Sequence, residues 1–364
     1  MDMQLRFRRS TLAGILGLPL LLLFCFLYYI IFAANLNLYD GESGLFQLAL
    51  NSHDHFIYVN TVDLISDRGF QYGLNNDFGI ASIYLALSNA FPFLVDPDFT
   101  LISFLFNCVT LCLCYLVYAS ICDRLGLGMF GKISFFANTY FIYHAQLINK
   151  DILTILSFLL VIYFGLRKRL LPILLLSPLL VLVRQQLAVF AIIYMFLMQS
   201  RQPWGRIILV YFITSLVAAY LSVNFDIIGE DSLGSGFSAF LMGLNQQYFI
   251  GYLIFNPVRV LQYIGDAYAS FFLATGTGGV DTAKLLRIPQ LITLLLLSKP
   301  LLSIVIHFND WLKTPARPLV LVVVAYLLAW LMNPTINARY VMLITPVLVL
   351  FALYVRNFKH RVVI

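Results

Sequence analysis

The chain has 364 residues, of which 61% are hydrophobic and only 11% charged, and its formal net charge at pH 7 is +6. Soluble domains average about 45–50% apolar and about 25% charged residues, so this composition excludes an ordinary soluble enzyme and predicts an integral membrane protein. So little polar sequence remains that we expect a single integral membrane domain over residues 1–364, without a separate soluble domain.

The first predicted element is an apolar segment that follows the basic residues Arg6, Arg8 and Arg9. It is longer than the roughly 7–15 apolar residues of a signal peptide, so we interpret it as an uncleaved membrane helix. Other apolar stretches of spanning or nearly spanning length follow along the chain. The candidate spans, about ten in all, are residues 11–34, 100–121, 131–148, 151–166, 170–183, 186–199, 206–225, 287–308, 318–332 and 338–355.

Two long segments, residues 35–99 and 226–286, separate groups of these spans. Both contain half-apolar pieces that are typical of helices lying along the membrane interface. Loops longer than about 12–15 residues are usually functional, so we expect the functional site on the face that carries both segments.

The charged residues are divided between the two predicted faces. Basic residues concentrate in the tails and in the turns after the even-numbered spans, whereas nearly all acids, including Asp54 and Asp77, fall on the opposite face. The positive-inside rule then predicts that both termini are cytoplasmic. The positive net charge therefore indicates topology and does not indicate nucleic-acid binding.

Three acidic residues, at two places in the chain, are candidates for chemistry. Asp40 and Glu42 follow the first span, where partial desolvation raises the pKa of a carboxylate and suits it to act as a general base. The alternative is that they only mark the return of the chain to water. Asp151, in "NKD" beside Lys150, could act in the same site or serve as the N-cap of a helix.

Four further candidates suit the binding of an anionic substrate. Arg184 lies between two short apolar segments, and a guanidinium can bind phosphate through two parallel hydrogen bonds, although an ordinary turn is the competing interpretation. Arg339 and Tyr340 begin the last span, and Arg259 lies in "FNPVRVLQ"; interfacial anchoring is the alternative for these residues. We assign His144, within an apolar stretch, to a local hydrogen bond.

In their order along the chain, these features resemble the membrane glycosyltransferases of the GT-C superfamily. The resemblance is carried by the acid in "YDGESGLF" with juxtamembrane helices after it, by the R/K-x-D-like "INKDILTILSF" after a basic turn, and by "ARYVMLITPVL" near the C-terminus. In size and layout the chain is most similar to a polysaccharide repeat-unit polymerase of the Wzy type (O-antigen polymerase). It departs from family members with an adjacent Asp-Glu pair, because Gly41 separates Asp40 from Glu42.

The resemblance implies an all-α, polytopic bundle of about ten transmembrane helices with juxtamembrane helices on the outer face. It implies a bacterial inner-membrane enzyme whose active site faces the periplasm and whose donor is a polyprenyl-phosphate- or diphosphate-linked glycan. Membrane lipid and other polysaccharide-assembly proteins would be its partners.

The resemblance also implies roles for the candidates. Asp40, or Glu42 as second choice, would deprotonate the acceptor hydroxyl. Arg184, Arg339 or Arg259 would hold the departing phosphate, and Asp151 with Lys150 would orient acceptor or phosphate. A divalent cation could replace one arginine, although the sequence contains no convincing set of ligands.

Several alternatives stay open at this point. A single-sugar GT-C transferase and a flippase for lipid-linked oligosaccharides would share much of this pattern. A membrane O-acyltransferase would need a histidine base, for which His144 is the candidate. A non-enzymatic subunit of a membrane complex is the fourth alternative.

Overall fold

The chain is helical throughout most of the part that the computed structural model describes, which is residues 2–36, 49–69, 77–224, 240, 243–244, 247–272, 275–276, 279–280, 282–332 and 338–362. Its described β-structure is one short antiparallel pairing of β1 (Thr275–Gly276) with β2 (Gly279–Val280). The predicted all-α class is therefore confirmed over these ranges.

The described α-helices are numbered here in chain order. They are α1 (Asp2–Tyr28), α2 (Ser52–Arg68), α3 (Asp77–Ala90), α4 (Thr100–Leu125), α5 (Gly128–Ile133), α6 (Tyr140–His144), α7 (Asp151–Leu166), α8 (Leu171–Val183), α9 (Gln185–Met198), α10 (Trp204–Asn224), α11 (Gly251–Phe272), α12 (Thr282–Leu296), α13 (Ser298–Ile306), α14 (Phe308–Trp311), α15 (Arg317–Trp330) and α16 (Ala338–Val362).

Three described helical segments are long and apolar enough to cross a membrane: Gly14–Ala33, Thr100–Leu125 and Trp204–Leu221. Helices α12 and α13 would make a fourth if counted together, although they meet at a bend of 58°. Helices α7, α8, α9, α15 and the stretch Leu343–Phe358 are apolar but shorter. The described part is thus compatible with a helical membrane protein, and its long helices account for three or four of the ten predicted crossings.

The predicted span at 131–148 is not one helix, and that prediction is wrong. The segment divides into α5, a 3₁₀ turn, α6 and a loop. The segment still runs alongside α1. The Phe136 ring lies against Gly17, and Gln146 Nε2 donates a hydrogen bond to the carbonyl of Cys25, which is about two turns further along α1.

Buried amide side chains explain why this segment departs from a helix. Asn107 Nδ2, on α4, donates to the carbonyls of Ala145 (3.3 Å) and Leu147 (2.8 Å), and Asn138 Nδ2 donates to the Phe135 carbonyl. Non-helical backbone at membrane depth is tolerated where protein groups satisfy its hydrogen bonds. A hydropathy window averages over these polar residues and therefore misses the break.

The centre of the main core lies where α7, α9 and α15 meet. The ring of Phe158 on α7 makes edge contacts with Phe190 at 5.0 Å, Tyr326 at 5.2 Å and Trp330 at 5.7 Å between centroids. All four side chains are buried. This packing fixes the end of α15, at Trp330, relative to α7 and α9.

Helices α2 and α3 pack against each other and against the rest of the bundle. Gly79 of α3 sits directly on the end of α8, since a Cβ at this position would lie 2.0 Å from the carbonyl oxygen of Leu182. The start of α4 is capped by Asp96, whose carboxylate accepts hydrogen bonds from the amides of Thr100 and Leu101. These contacts hold the pair over the ends of the neighbouring helices.

Candidate functional site

A cleft of about 250 Å³ lies between the α2–α3 pair and the ends of four other helices. The pair contributes Asp54, Ile57, Tyr58 and Asp77. The remaining lining residues come from the starts of α7, α9 and α16 and from the end of α15, and they are Lys150, Arg184, Gln186, Tyr340 and Trp330. Sequence segments almost 300 residues apart therefore meet at one site.

The N-terminal regions of five helices contribute residues to this cleft. Its lining includes Asp54 and Asp77 from the first turns of α2 and α3, Lys150 and Arg184 from just before α7 and α9, and Tyr340 from the first turn of α16. The N-terminus of a helix carries roughly half a positive charge and exposes backbone N–H groups, so it favours an anion. The backbone thus makes the cleft favourable for negative charge.

Arg184 lies in extended conformation (φ −160°, ψ 129°) between α8 and α9. Its side chain is 6% exposed, and its Nη2 donates to Asp151 Oδ1 at 2.5 Å. Among the residues that the structure describes, its Nε has no hydrogen-bond acceptor. A buried N–H donor at the wall of a cleft is the feature expected where a bound anion supplies the missing acceptor.

Asp151 is fully buried behind Arg184 and reaches the cleft through it. Its second carboxylate oxygen lies 3.2 Å from Nδ1 of His144. The N-cap alternative is wrong, because Asp151 is the first residue of α7 and its own N–H donates to Asn149 Oδ1 at 2.6 Å. The carboxylate holds the guanidinium in place.

Lys150 lies on the cleft wall between a carboxylate and an aromatic ring. Its Nζ is 3.5 Å from Asp77 Oδ1 and 5.4 Å from the centre of the Tyr58 ring. The side chains of Lys150 and Asp77 are 14% and 23% exposed. This ion pair is long and partly hydrated, so its free energy is modest compared with that of a buried pair.

Aromatic rings form another wall of the cleft. The Arg184 guanidinium lies 5.8 Å from the centre of the Tyr340 ring, and Tyr340 contacts Trp330 edge-on at 6.3 Å. Tyr326 stacks on Trp330 at 4.3 Å and donates its hydroxyl to the backbone carbonyl of Tyr340. These contacts hold the end of α15 and the start of α16 together at the cleft.

The loop before Lys150 is anchored by His55 of α2. Its Nε2 lies 2.7 Å from the carbonyl of Asp98 and its Nδ1 accepts the N–H of Ile148 at 3.1 Å. This pair of bonds requires a neutral ring with the proton on Nε2. Burial lowers the pKa of His55 to about 4, although the hydrogen bond to Asp98 partly offsets this effect. The ring is therefore neutral at neutral pH.

The site is recessed relative to the start of α4. Asn107 contacts the loop just before Lys150, and the Cys114 thiol approaches the Ile152 carbonyl at 3.7 Å. Seven residues of helix separate Thr100 from Asn107, a rise of about 10 Å. The start of α7 therefore lies at least about 10 Å from the start of α4, measured along the axis of α4 towards its C-terminal end.

Three of the predicted substrate-binding residues meet in this cleft: Lys150, Arg184 and Tyr340. Asp40 and Glu42 lie outside the described residues, and their predicted role as base stays a prediction. Arg339 lies in the first turn of α16, and its side chain is also outside the described part.

Arg259 is placed elsewhere. It is 1% exposed on α11, where its Nη1 donates to Asn256 Oδ1 (2.7 Å) and to the carbonyl of Leu331 (3.2 Å), just after α15. Its guanidinium also lies 4.4 Å from the centre of the Tyr252 ring. These contacts describe a residue that fixes the end of α15.

Sequence reasoning missed several residues of the site. The charge pattern places Asp54 and Asp77 among the outer-face acids without a role, and Tyr58 and Trp330 carry no signal of their own. The local hydrogen bond predicted for His144 is made with Asn149 at 3.0 Å, but the contact of His144 with Asp151 was not predicted. An ionisable residue within an apolar stretch was the available signal for His144.

Within the described ranges, no three His, Cys, Asp or Glu side chains come together in a way that could hold a metal ion. Comparisons with protein-family models, curated proteins and solved structures find no match to this chain.

Proposed function

We propose that this protein is a membrane glycosyltransferase whose donor is a glycan linked to polyprenyl phosphate or diphosphate. The observation that carries the proposal is a recessed cleft that combines five helix N-termini with Lys150 and with the buried Arg184, whose Nε lacks an acceptor among the described residues. The GT-C resemblance narrows the reaction to polymerisation of polysaccharide repeat units at the periplasmic face of a bacterial inner membrane.

The distribution of charge supports an anionic ligand. Three of the five N-termini already have an acid of the chain in their first turn: Asp54 on α2, Asp77 on α3 and Asp151 on α7. The other two, α9 and α16, have no acid in that turn, and they contribute Arg184 and Tyr340 to the cleft. A phosphate bound at the start of α9 would be stabilised by the helix dipole and by the guanidinium together.

The depth of the cleft supports a lipid-linked donor. Helices α7, α8, α9 and α15 contain 16, 13, 14 and 14 residues. They are therefore about 20–24 Å long, against a hydrocarbon thickness of about 30 Å. If the ends of these helices that lie away from the cleft are near the cytoplasmic surface, as the ten-span topology requires, the cleft lies below the outer membrane surface. A polyprenyl phosphate in the outer leaflet could then place its phosphate in the cleft while its tail stays in lipid.

The proposed reaction is displacement of the phosphate by a hydroxyl of the acceptor glycan. Arg184, held by Asp151, and Lys150 stabilise the charge that develops on the leaving phosphate oxygen. Tyr340, the least buried of the aromatic rings in the lining, offers a face for a sugar ring. Asp40, or Glu42, takes the proton of the attacking hydroxyl, as the resemblance implies.

Purified protein in lipid nanodiscs, supplied with polyprenyl-diphosphate-linked oligosaccharide, tests the proposal. We expect a ladder of longer glycans; a product extended by one sugar would indicate a single-sugar transferase. Movement of the lipid-linked glycan across a vesicle membrane without a covalent product would overturn the proposal in favour of a flippase. Asp40→Asn should abolish the product while leaving membrane abundance unchanged, and wild-type product from it would exclude Asp40 as the base.

Two arginine variants separate the cleft from general charge effects. Arg184→Lys keeps the positive charge but loses the forked donor geometry, so we expect at least a tenfold loss of turnover with retained folding. Arg169→Gln removes an exposed positive charge near the other end of α7 and should leave turnover unchanged. Equal activity of wild type and Arg184→Lys would contradict the assigned role of Arg184.

A further inference from the structure

The ion pair between Lys150 and Asp77 occupies the site where the proposed phosphate would bind. Both residues line the cleft, and Lys150 Nζ lies 3.5 Å from the Asp77 carboxylate. Asp77 is also the first residue of α3, where a negative charge satisfies the helix N-terminus. The chain therefore supplies its own anion to a cleft that is built to bind one.

We infer that Asp77 and the donor phosphate compete for Lys150, and that phosphate binding releases the Asp77 carboxylate from Lys150, so that it binds a hydroxyl of the acceptor. Asp77 is thus an acceptor-positioning residue, and the donor binds before the acceptor. This inference rests on the proposed function and deepens it, because it assigns an order of binding and an acceptor contact that the resemblance does not supply.

The geometry favours exchange by Lys150 rather than by Arg184. Arg184 is held at 2.5 Å by a carboxylate that is 0% exposed, whereas the Lys150 pair is longer and its two side chains keep partial contact with solvent. A lysine ammonium can reorient on its flexible stem, whereas the Arg184 guanidinium is planar, buried and held by Asp151. Arg184 therefore forms the permanent part of the anion site, and Lys150 the exchangeable part.

Linkage makes the inference quantitative. If the phosphate must displace Asp77 from Lys150, removing the carboxylate raises the affinity for phosphate. Bound phosphate also raises the affinity for the acceptor, and bound acceptor raises the affinity for phosphate by the same factor. A partly exposed pair of this kind predicts a change of roughly three- to tenfold.

The first experiment measures phosphate binding by calorimetry in nanodiscs, with inorganic diphosphate in one arm and polyprenyl diphosphate in the other. Asp77→Asn should bind both roughly three- to tenfold more tightly than wild type. The matched control is Asp67→Asn, which removes an exposed carboxylate near the end of α2 and should bind like wild type. Lys150→Gln should bind more weakly, and adding Asp77→Asn to it should produce no further gain.

Unchanged or weaker binding by Asp77→Asn would overturn the inference, as would an equal gain in the Lys150→Gln background. Tight binding of polyprenyl diphosphate alone would show that the site requires the lipid-linked phosphate. Equal binding of both probes would show that it binds phosphate as such. Either result is consistent with competition between Asp77 and phosphate for Lys150.

The second experiment measures initial rates with the donor and acceptor varied independently in the transferase assay. Asp77→Asn should lower KM for the donor and raise KM for the acceptor, a split that loss of folding would not produce. Transfer by Asp77→Asn with both KM values unchanged would overturn the inference while leaving the proposed function intact. Failure of the wild-type protein to bind either phosphate probe would overturn the proposed function itself.

Discussion

Replacing Asp151 by Asn should destabilise the protein by about 3–5 kcal/mol, the range found when one partner of a buried ion pair is removed. The side chain of Asp151 is 0% exposed and that of Arg184 is 6% exposed, and their atoms approach to 2.5 Å. Without the carboxylate, the guanidinium charge stays buried with only neutral partners among the described side chains that contact it. The loss should therefore come from desolvation, which the neutral amide cannot offset.

Asp123→Asn is the matched control, because it removes the same charge from a pair of similar length. Asp123 Oδ1 lies 2.7 Å from Lys132 Nζ, but the Asp123 side chain is 61% exposed. The Lys132 side chain is 9% exposed, but solvent around Asp123 screens the pair, so its loss should cost about 0–1 kcal/mol. The two variants therefore differ in burial, and hardly in distance.

The assay is unfolding in mixed micelles as the denaturing detergent is increased, followed by the fluorescence of the three tryptophans. Equal destabilisation by Asp151→Asn and Asp123→Asn would refute the reasoning from burial. The double variant Asp151→Leu with Arg184→Met should recover much of the lost stability, since apolar residues can replace a buried pair. It should nevertheless lose phosphate binding.

Two further predictions test the supports of the cleft. Gly79→Ala should destabilise the protein by about 1–3 kcal/mol and reduce turnover, because its Cβ would meet the Leu182 carbonyl at 2.0 Å and push α3 away from α8. The control is Gly205→Ala, which should be neutral or slightly stabilising because a Cβ at this position meets nothing within 4 Å. The free energy of unfolding should fall by about 3 kcal/mol as pH drops from about 6.5 to about 4. In this range the unfolded state binds a proton at His55, whereas the folded state does not, because burial lowers the pKa of His55 to about 4. Subtracting the pH profile of a His55→Asn variant isolates this contribution, and identical profiles would contradict it.

The sequence predicts the bounds of the short helices around the cleft closely, because charged residues interrupt the apolar runs at their ends. The predicted stretches 170–183, 186–199 and 318–332 correspond to α8 (Leu171–Val183), α9 (Gln185–Met198) and α15 (Arg317–Trp330). An ionisable residue between two apolar runs marked the break at Arg184. The bend at Leu297 likewise lies two residues before Lys299, an ionisable residue within an apolar run.

The partners of these residues could not be predicted, because they depend on tertiary contacts. Nothing local to Arg184 indicates that its carboxylate is Asp151, 33 residues earlier, or that His144 holds the other oxygen of that carboxylate. Arg259 and Arg184 carry similar local signals, yet one fixes the end of α15 and the other lines the cleft. Residue type identified the candidates, and packing separated their roles.

The most direct test of the account is a structure of the protein in nanodiscs with polyprenyl diphosphate bound. The account predicts a phosphate within hydrogen-bonding distance of Arg184 Nε and of Lys150 Nζ, with Lys150 displaced from Asp77. A phosphate bound at another place, with the cleft empty and the Lys150–Asp77 pair intact, would contradict it.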